Sequence, residues 1–196
     1  MKKGLMAFVA CAVALTVGAS QVSAKSFDVK DLKYGVRLAL GSSNNSASGQ
    51  TSGFGFNLGG TAEWAMNDKI AFSSGLNYAS LGSKNGNTDE TLSYLEVPVL
   101  VKYTLPQKAN QFSFNLQGGL SLGYLIAATA GGKDVKSSRK KADYALILGV
   151  GTSMPCPKRQ GSRLDIDLTY KLGLADVNPG GNSKNSFIAL GAGYAF

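Results

Sequence analysis

Phe112-Ser-Phe-Asn-Leu-Gln-Gly-Gly-Leu-Ser-Leu-Gly-Tyr124 puts Phe112, Phe114, Leu116, Leu120, Leu122 and Tyr124 at alternate positions, with only Gly118 breaking the series. Between them stand Ser113, Asn115, Gln117, Gly119, Ser121 and Gly123. Successive side chains of a strand point to opposite faces, so the stretch reads as one strand with an apolar face and a small, polar face. Nothing in it follows the 3.6-residue period of a helix.

The same rule recurs on both sides of it. Tyr34, Val36, Leu38 and Leu40 alternate with Gly35, Arg37 and Ala39, and Phe54, Phe56, Leu58, Ala62, Trp64 and Met66 with Gly55, Asn57, Gly59, Thr61 and Glu63. Ile70, Phe72, Leu76 and Tyr78 stand against Ala71, Ser73, Gly75 and Asn77, and Leu95, Val97, Val99, Val101 and Tyr103 against Tyr94, Glu96, Pro98 and Lys102. Downstream, Tyr144, Leu146, Leu148 and Val150 oppose Asp143, Ala145, Gly149 and Gly151. Leu164, Ile166, Leu168, Tyr170 and Leu172 oppose Arg163, Asp165, Asp167, Thr169 and Lys171, and a last strand sets Ile188, Leu190, Ala192, Tyr194 and Phe196 against Ala189, Gly191 and Gly193. Eight strands joined in sequence predict an all-β fold, an eight-stranded antiparallel up-and-down barrel. Connections after the odd-numbered strands are expected to be long and polar, at Ser42–Ser52, Ser83–Glu90, Thr129–Lys141 and Ala175–Asn185. Those after the even-numbered strands, Asn67-Asp68, Leu105–Gln111 and Pro155–Ser162, are shorter. Long loops at one end and tight turns at the other are the pattern of an outer-membrane barrel.

Periodicity does not say which face meets solvent. A secreted, lipocalin-like barrel would turn its apolar face inward and carry long solvated side chains outside. Here the polar face is mainly Gly, Ser, Ala and Asn, which suits a narrow lumen, while the apolar face is almost free of charge. Aromatics gather at its two ends: Trp64, Phe72, Tyr103, Phe112 and Phe196 near one rim, Phe54, Tyr78, Tyr124 and Tyr144 near the other. Two girdles around an apolar band predict contact with lipid.

Composition narrows function. Of 196 residues, 20 are Lys or Arg and 12 Asp or Glu, none is His, and 16% are charged against the ~25% usual of soluble domains. Without imidazole, Ser–His hydrolysis, HExxH zinc chemistry and His-held haem are excluded. Cys11 and Cys156 supply neither a disulfide framework nor a four-ligand zinc site. The glycine pairs Gly59-Gly60 and Gly118-Gly119 lie inside strands and make no phosphate loop. No cofactor is called for. Residues 1–24 read as an export signal: Lys2 and Lys3, an apolar run from Leu5 to Val17, then small residues with Val22 and Ala24 before a cleavage point at Lys25. The run is shorter than the ~20 residues a spanning helix needs. The mature domain is therefore residues 25–196.

Seven charged residues share the inward parity: Arg37, Glu63, Glu96, Lys102, Asp165, Asp167 and Lys171. Isolated charges in a narrow interior are costly, so a paired network across the lumen is expected. A proton path, an ion path or a ligand clamp is the functional alternative. Asp165 and Asp167, two apart on one face, also admit an acid–base reading, which pairing with Arg37 or Lys171 explains equally. The basic stretch containing Lys133, Lys136, Arg139, Lys140 and Lys141 falls in an outer loop. It is either solvated or in contact with lipopolysaccharide phosphates. An exported chain without an aromatic-lined basic groove is not expected to bind nucleic acid.

The segments Tyr94-Leu-Glu-Val-Pro-Val-Leu-Val-Lys-Tyr103, Tyr170-Lys-Leu-Gly-Leu174 and Gly191-Ala-Gly-Tyr-Ala-Phe196 are similar to those of the PorT-like outer-membrane β-barrel domain family of Gram-negative bacteria. The resemblance extends over the whole mature chain and implies a small outer-membrane barrel. Lys171 stands where that family often carries Arg. Tyr194 and Phe196 look like the signal read by the barrel assembly machinery. The resulting expectation is a non-catalytic envelope barrel, structural or interactive, with outer-membrane lipid, lipopolysaccharide and an envelope protein as partners and a link to secretion or surface contact. A narrow pore for ions or small solutes and a soluble ligand-binding barrel are the alternatives.

Overall fold

The computed structural model describes residues 27–47, 49–106, 112–156, 161–181 and 183–196. The expected export signal and Cys11 lie outside these residues, as do parts of the two longer expected turns. The described chain forms β1 (Leu32–Asn45), β2 (Gln50–Ala65), β3 (Ile70–Asn85), β4 (Thr88–Thr104), β5 (Ser113–Ala130), β6 (Lys133–Asp134), β7 (Ala142–Pro155), β8 (Arg163–Gly173) and β9 (Asn185–Ala195). Each long strand pairs antiparallel with its neighbour, β4 with β5 and β5 with β7, and β1 closes on β9. The result is a closed eight-stranded barrel, with the two-residue β6 added to the end of β5. Closure leaves no open sheet edge, which in hydrocarbon would strand backbone groups at several kcal/mol each.

Register lines the apolar residues up in rows on the outer wall. Val99 of β4 faces Leu120 of β5, which faces Leu146 of β7 and, beyond it, Leu172 of β8. Leu120 leaves 54% of its surface exposed and Leu190 of β9 62%, and Val36, Leu58, Leu76, Leu116, Leu148 and Ile166 are exposed with them. A continuous apolar wall of this size is not sustained in water. The alternation is apolar-out, so the soluble, lipocalin-like alternative is set aside. From Phe112 to Tyr124 the belt spans about 30 Å, at ~3.3 Å per residue and a tilt near 40°.

Toward the end where β3 turns into β4 (the upper end), the pattern reverses. Inward positions there are Leu81, Leu92, Leu125, Ala128 and Phe187, joined by Val177 from the connection between β8 and β9, and all are buried. Outward positions become Ser42, Ser52, Lys84 and Asp89. Two expected long loops are consequently strand. β1 runs to Asn45 and β2 starts at Gln50, so most of Ser42–Ser52 is strand, and Ser83–Glu90 reduces to Gly86-Asn87. Gly86 takes φ 58°, a left-handed conformation that glycine adopts without a Cβ penalty. Both segments carry polar residues outward because they stand above the lipid, where a strand needs no apolar outer face. The β3–β4 hairpin rises about 20 Å past Tyr78 on this geometry. Thr129–Lys141 holds β6 and a short 3-10 turn at Lys136–Ser138, and the described residues between Gly173 and Asn185 belong to no strand.

Candidate functional site

Inside the belt, the side chains of the polar face fill the lumen in layers. At the lower end, Arg163 Nη2 lies 2.6 Å from Glu63 Oε2 and its Nε 3.0 Å from Asp165 Oδ2. Lys102 Nζ bridges the same two carboxylates at 3.4 and 3.5 Å, and Ser153 Oγ donates to Asp165. β2, β4, β7 and β8 supply these groups, and strand register alone brings them to one level. Each charge has a partner of opposite sign, which is what allows the cluster to sit away from bulk water.

A second layer fills the middle. Arg37 Nε donates to Asp167 Oδ2 at 2.9 Å, with its Nη2 on the same carboxylate and reaching Thr169 Oγ1 at 3.3 Å. Gly191, paired with Ala39 on one side and Asp167 on the other, leaves room for this contact: a Cβ there would come within 2.5 Å of Arg37 Nη2. Lys171 Nζ is ion-paired with Glu96 and lies 4.0 Å from Asp143 Oδ2. Asn57 Nδ2 donates to Glu96 at 3.4 Å, and Asn185 Nδ2 donates to Tyr94 Oη at 3.0 Å and to Asp143 at 3.4 Å. The ammonium of Lys171 also stands 5.9 Å from the centre of the Tyr94 ring. Glu96 and Asp143 are linked in register through Gly123, which has no side chain to separate them.

The apolar plug closes the upper end, and a polar latch lies over it. Arg139 Nε donates to Glu90 Oε1 at 2.9 Å, its Nη1 donates to Asn178 Oδ1 at 2.6 Å, and Gln50 Nε2 donates to Glu90 Oε2 at 3.0 Å. Backbone bonds Lys140 N–H to Val177 O (2.8 Å) and Ser46 N–H to Lys184 O (2.9 Å) pin the connections across the mouth. Below the plug remains a cavity of about 110 Å³, reaching from Lys33 and Arg163 at the lower rim to Glu96 and Lys171 in the middle.

All seven inward charges expected from the sequence stand in the lumen. Asp167 takes Arg37, whereas Asp165 takes Lys102 and Arg163 and not Lys171. Arg163 and Asp143 complete the two layers and carry the same inward parity, so alternation alone could have added them. Glu90 has that parity on β4 as well; Arg139 had no such signal, since its segment is not a barrel strand. Arg139 departs from the surface role expected of it, because its guanidinium is held by Glu90 and Asn178. Lys133, Lys140 and Lys141 are exposed and Lys136 half-buried. Tyr194 and Phe196 lie on the outer wall at the lower rim, 6.3 Å between ring centres, and Phe196 N–H donates to Tyr34 O at 2.9 Å across the closing seam.

A barrel with an apolar outer belt, aromatic rims and a polar, ion-paired lumen defines the class of outer-membrane β-barrels. The chain belongs to the outer membrane protein beta-barrel domain family, whose family model matches residues 8–196. Its membership places the protein in the outer membrane of Gram-negative bacteria. No curated sequence matches the chain significantly. Among solved structures it is similar to Neisserial surface protein A, at 20% identity, covering 83% of this chain and 97% of that one with a TM-score of 0.58. It is also similar to the outer membrane enzyme PagL, at 13% identity, 81% and 97% coverage and a TM-score of 0.50. At these identities the likeness is one of fold.

Proposed function

We propose that the protein is a non-catalytic barrel whose work in the envelope is structural or interactive, presenting a projecting outer wall and a basic loop to the cell exterior. The apolar plug carries this reading. A solute crossing the lumen would have to displace Leu81, Leu92, Leu125 and Phe187, which pack together on one level. It would then meet buried ion pairs, and parting them leaves charges uncompensated away from water. The absence of His from the sequence removes the usual general base for hydrolysis of lipid or peptide.

The Tyr94–Tyr103 segment, with Glu96 and Pro98 both turned inward, supports a PorT-like placement within the family and with it a link to secretion or surface contact. Residues 1–24 are read as the export signal, cut after Ala24. Lys133, Lys136, Lys140 and Lys141 are read as the contact with lipopolysaccharide phosphates. Tyr194 and Phe196, on the strand that seals the barrel against β1, are read as the segment offered to the barrel assembly machinery. An envelope protein is the partner proposed for the projecting wall.

Single-channel recording in planar bilayers tests the central point. The refolded full chain is expected to give no resolved openings across pH and voltage, while a Leu92→Gly/Phe187→Ala variant with the plug removed is expected to conduct. Steady openings from the unaltered chain would favour the narrow pore instead, for which the 110 Å³ lower cavity is the supporting observation.

A further inference from the structure

We infer that the middle of the lumen is a binding site for one monovalent inorganic cation, held by Asn57 Oδ1, Asn77 Oδ1 and the Glu96 carboxylate. The three residues stand on adjacent strands β2, β3 and β4 with their side chains on the inward face. Glu96 pairs directly with Asn77, and Asn57 lies within hydrogen-bond reach of Glu96 at 3.4 Å. All three line the lumen cavity. Asn57 and Asn77 are each only 8% exposed, yet the carbonyl oxygen of neither accepts a hydrogen bond from the protein. Buried amide oxygens without a donor are uncommon and costly. Glu96 fixes the orientation of Asn57: its Nδ2 faces the carboxylate, so a flip would set oxygen against oxygen.

Charge in the two lumen layers points to a cation. Among the described residues, Glu63, Glu96, Asp143, Asp165 and Asp167 face Arg37, Lys102, Arg163 and Lys171 there. The lower layer is balanced before the exposed Lys33 at its rim is counted, and one acid more than base stands in the middle layer. There Lys171 is shared by Glu96 and Asp143, and Asp143 Oδ1 is buried without a hydrogen-bond partner. An uncompensated charge at that depth is strongly unfavourable. Two neutral amide oxygens and a carboxylate already engaged by a lysine make a hard, weakly charged donor set. It matches a singly charged ion better than a divalent one, which would draw in more carboxylates. A cavity of about 110 Å³ holds such an ion with a water or two, at ~30 Å³ per water.

A cation held here is compatible with a closed or a conducting barrel. Thermal unfolding of the folded full chain in detergent, followed by heat-modifiability on gels, is measured at equal ionic strength in sodium, potassium or N-methylglucamine chloride. Sodium or potassium is expected to raise the midpoint saturably, by about 5–10 °C at a hundred times the dissociation constant. N-methylglucamine, too large for the cavity, is expected to have no such effect. Asn77→Leu, of similar volume, is expected to abolish the difference. Crystals of the unaltered chain soaked in rubidium or thallium chloride should show an anomalous peak between Asn57, Asn77 and Glu96, a readout that needs no variant to fold. Equal midpoints in all three salts, or a soaked crystal without that peak, would overturn the assignment.

Discussion

At Arg163 one guanidinium satisfies two carboxylates, Glu63 at 2.6 Å and Asp165 at 3.0 Å. Replacing it with Met leaves both acids to share Lys102 at 3.4 and 3.5 Å in a largely buried layer. Arg163→Met should therefore destabilise the barrel by about 3–5 kcal/mol, and adding Glu63→Gln should recover part of the loss, because the penalty comes from the carboxylate left behind. Urea unfolding in lipid vesicles, read by Trp64 fluorescence, checks both. Two of the lumen glycines make a contrasting pair. A Cβ at Gly191 meets Arg37 Nη2 at 2.5 Å and Asp167 Oδ1 at 2.8 Å, so Gly191→Ala has to part an ion pair and should lose about 1–3 kcal/mol. At Gly123 the nearest atoms stand at 3.4–3.6 Å, ordinary contact, so Gly123→Ala should lie within about 0.5 kcal/mol of the parent in the same assay. Inward charge was legible in the sequence because alternation assigns a face to each residue one by one. Partner choice was not: Asp165 and Asp167 have the same parity, and only the strand register separates their cations.

Among the elements, the upper halves of β3 and β4 were the least legible. Within the belt, lipid outside and a polar lumen inside give maximal contrast from one residue to the next, so Phe112–Tyr124 announces itself. Above the belt both faces change character together. Leu81 and Leu92 turn inward while Ser and Thr face out, and a polar composition with two buried leucines reads as loop. The basic segment misled for a related reason, since a run of cations reads as solvated although Arg139 folds over Glu90. This difference predicts distinct phenotypes within one loop. Converting Lys133, Lys136, Lys140 and Lys141 to Gln should leave unfolding unchanged and weaken salt-dependent binding to lipid A-containing vesicles, by about 1 kcal/mol per lysine close to the surface. Arg139→Gln should instead expose the Lys136–Lys141 backbone to protease, with little change in vesicle binding. Limited proteolysis and flotation separate the two.

For the whole molecule, the deciding quantity is the medium around the wall. Leu120 sits between Phe114 and Tyr124 in the middle of the belt, more than half exposed. Leu92 sits in the plug, almost wholly buried. Were the surroundings water, Leu120→Arg would be harmless or even solubilising, since a lone exposed leucine on a soluble protein contributes little. In hydrocarbon the same change should cost about 2–4 kcal/mol at mid-depth, falling to about 0–1 kcal/mol for Phe196→Arg at the rim, where the guanidinium reaches the headgroups. Truncation reverses the order of severity. Leu92→Ala leaves a hole that the plug fills poorly and should lose about 2–5 kcal/mol. Leu120→Ala leaves a groove that an acyl chain occupies, so it should lose less. Equilibrium unfolding of these four variants in vesicles therefore yields a depth profile on the outer wall and a packing penalty inside the upper barrel. If Leu120→Arg proved as stable as the parent while Phe196→Arg did not, the belt would be displaced along the barrel axis. Equal stability of both variants would remove lipid as the solvent of this face.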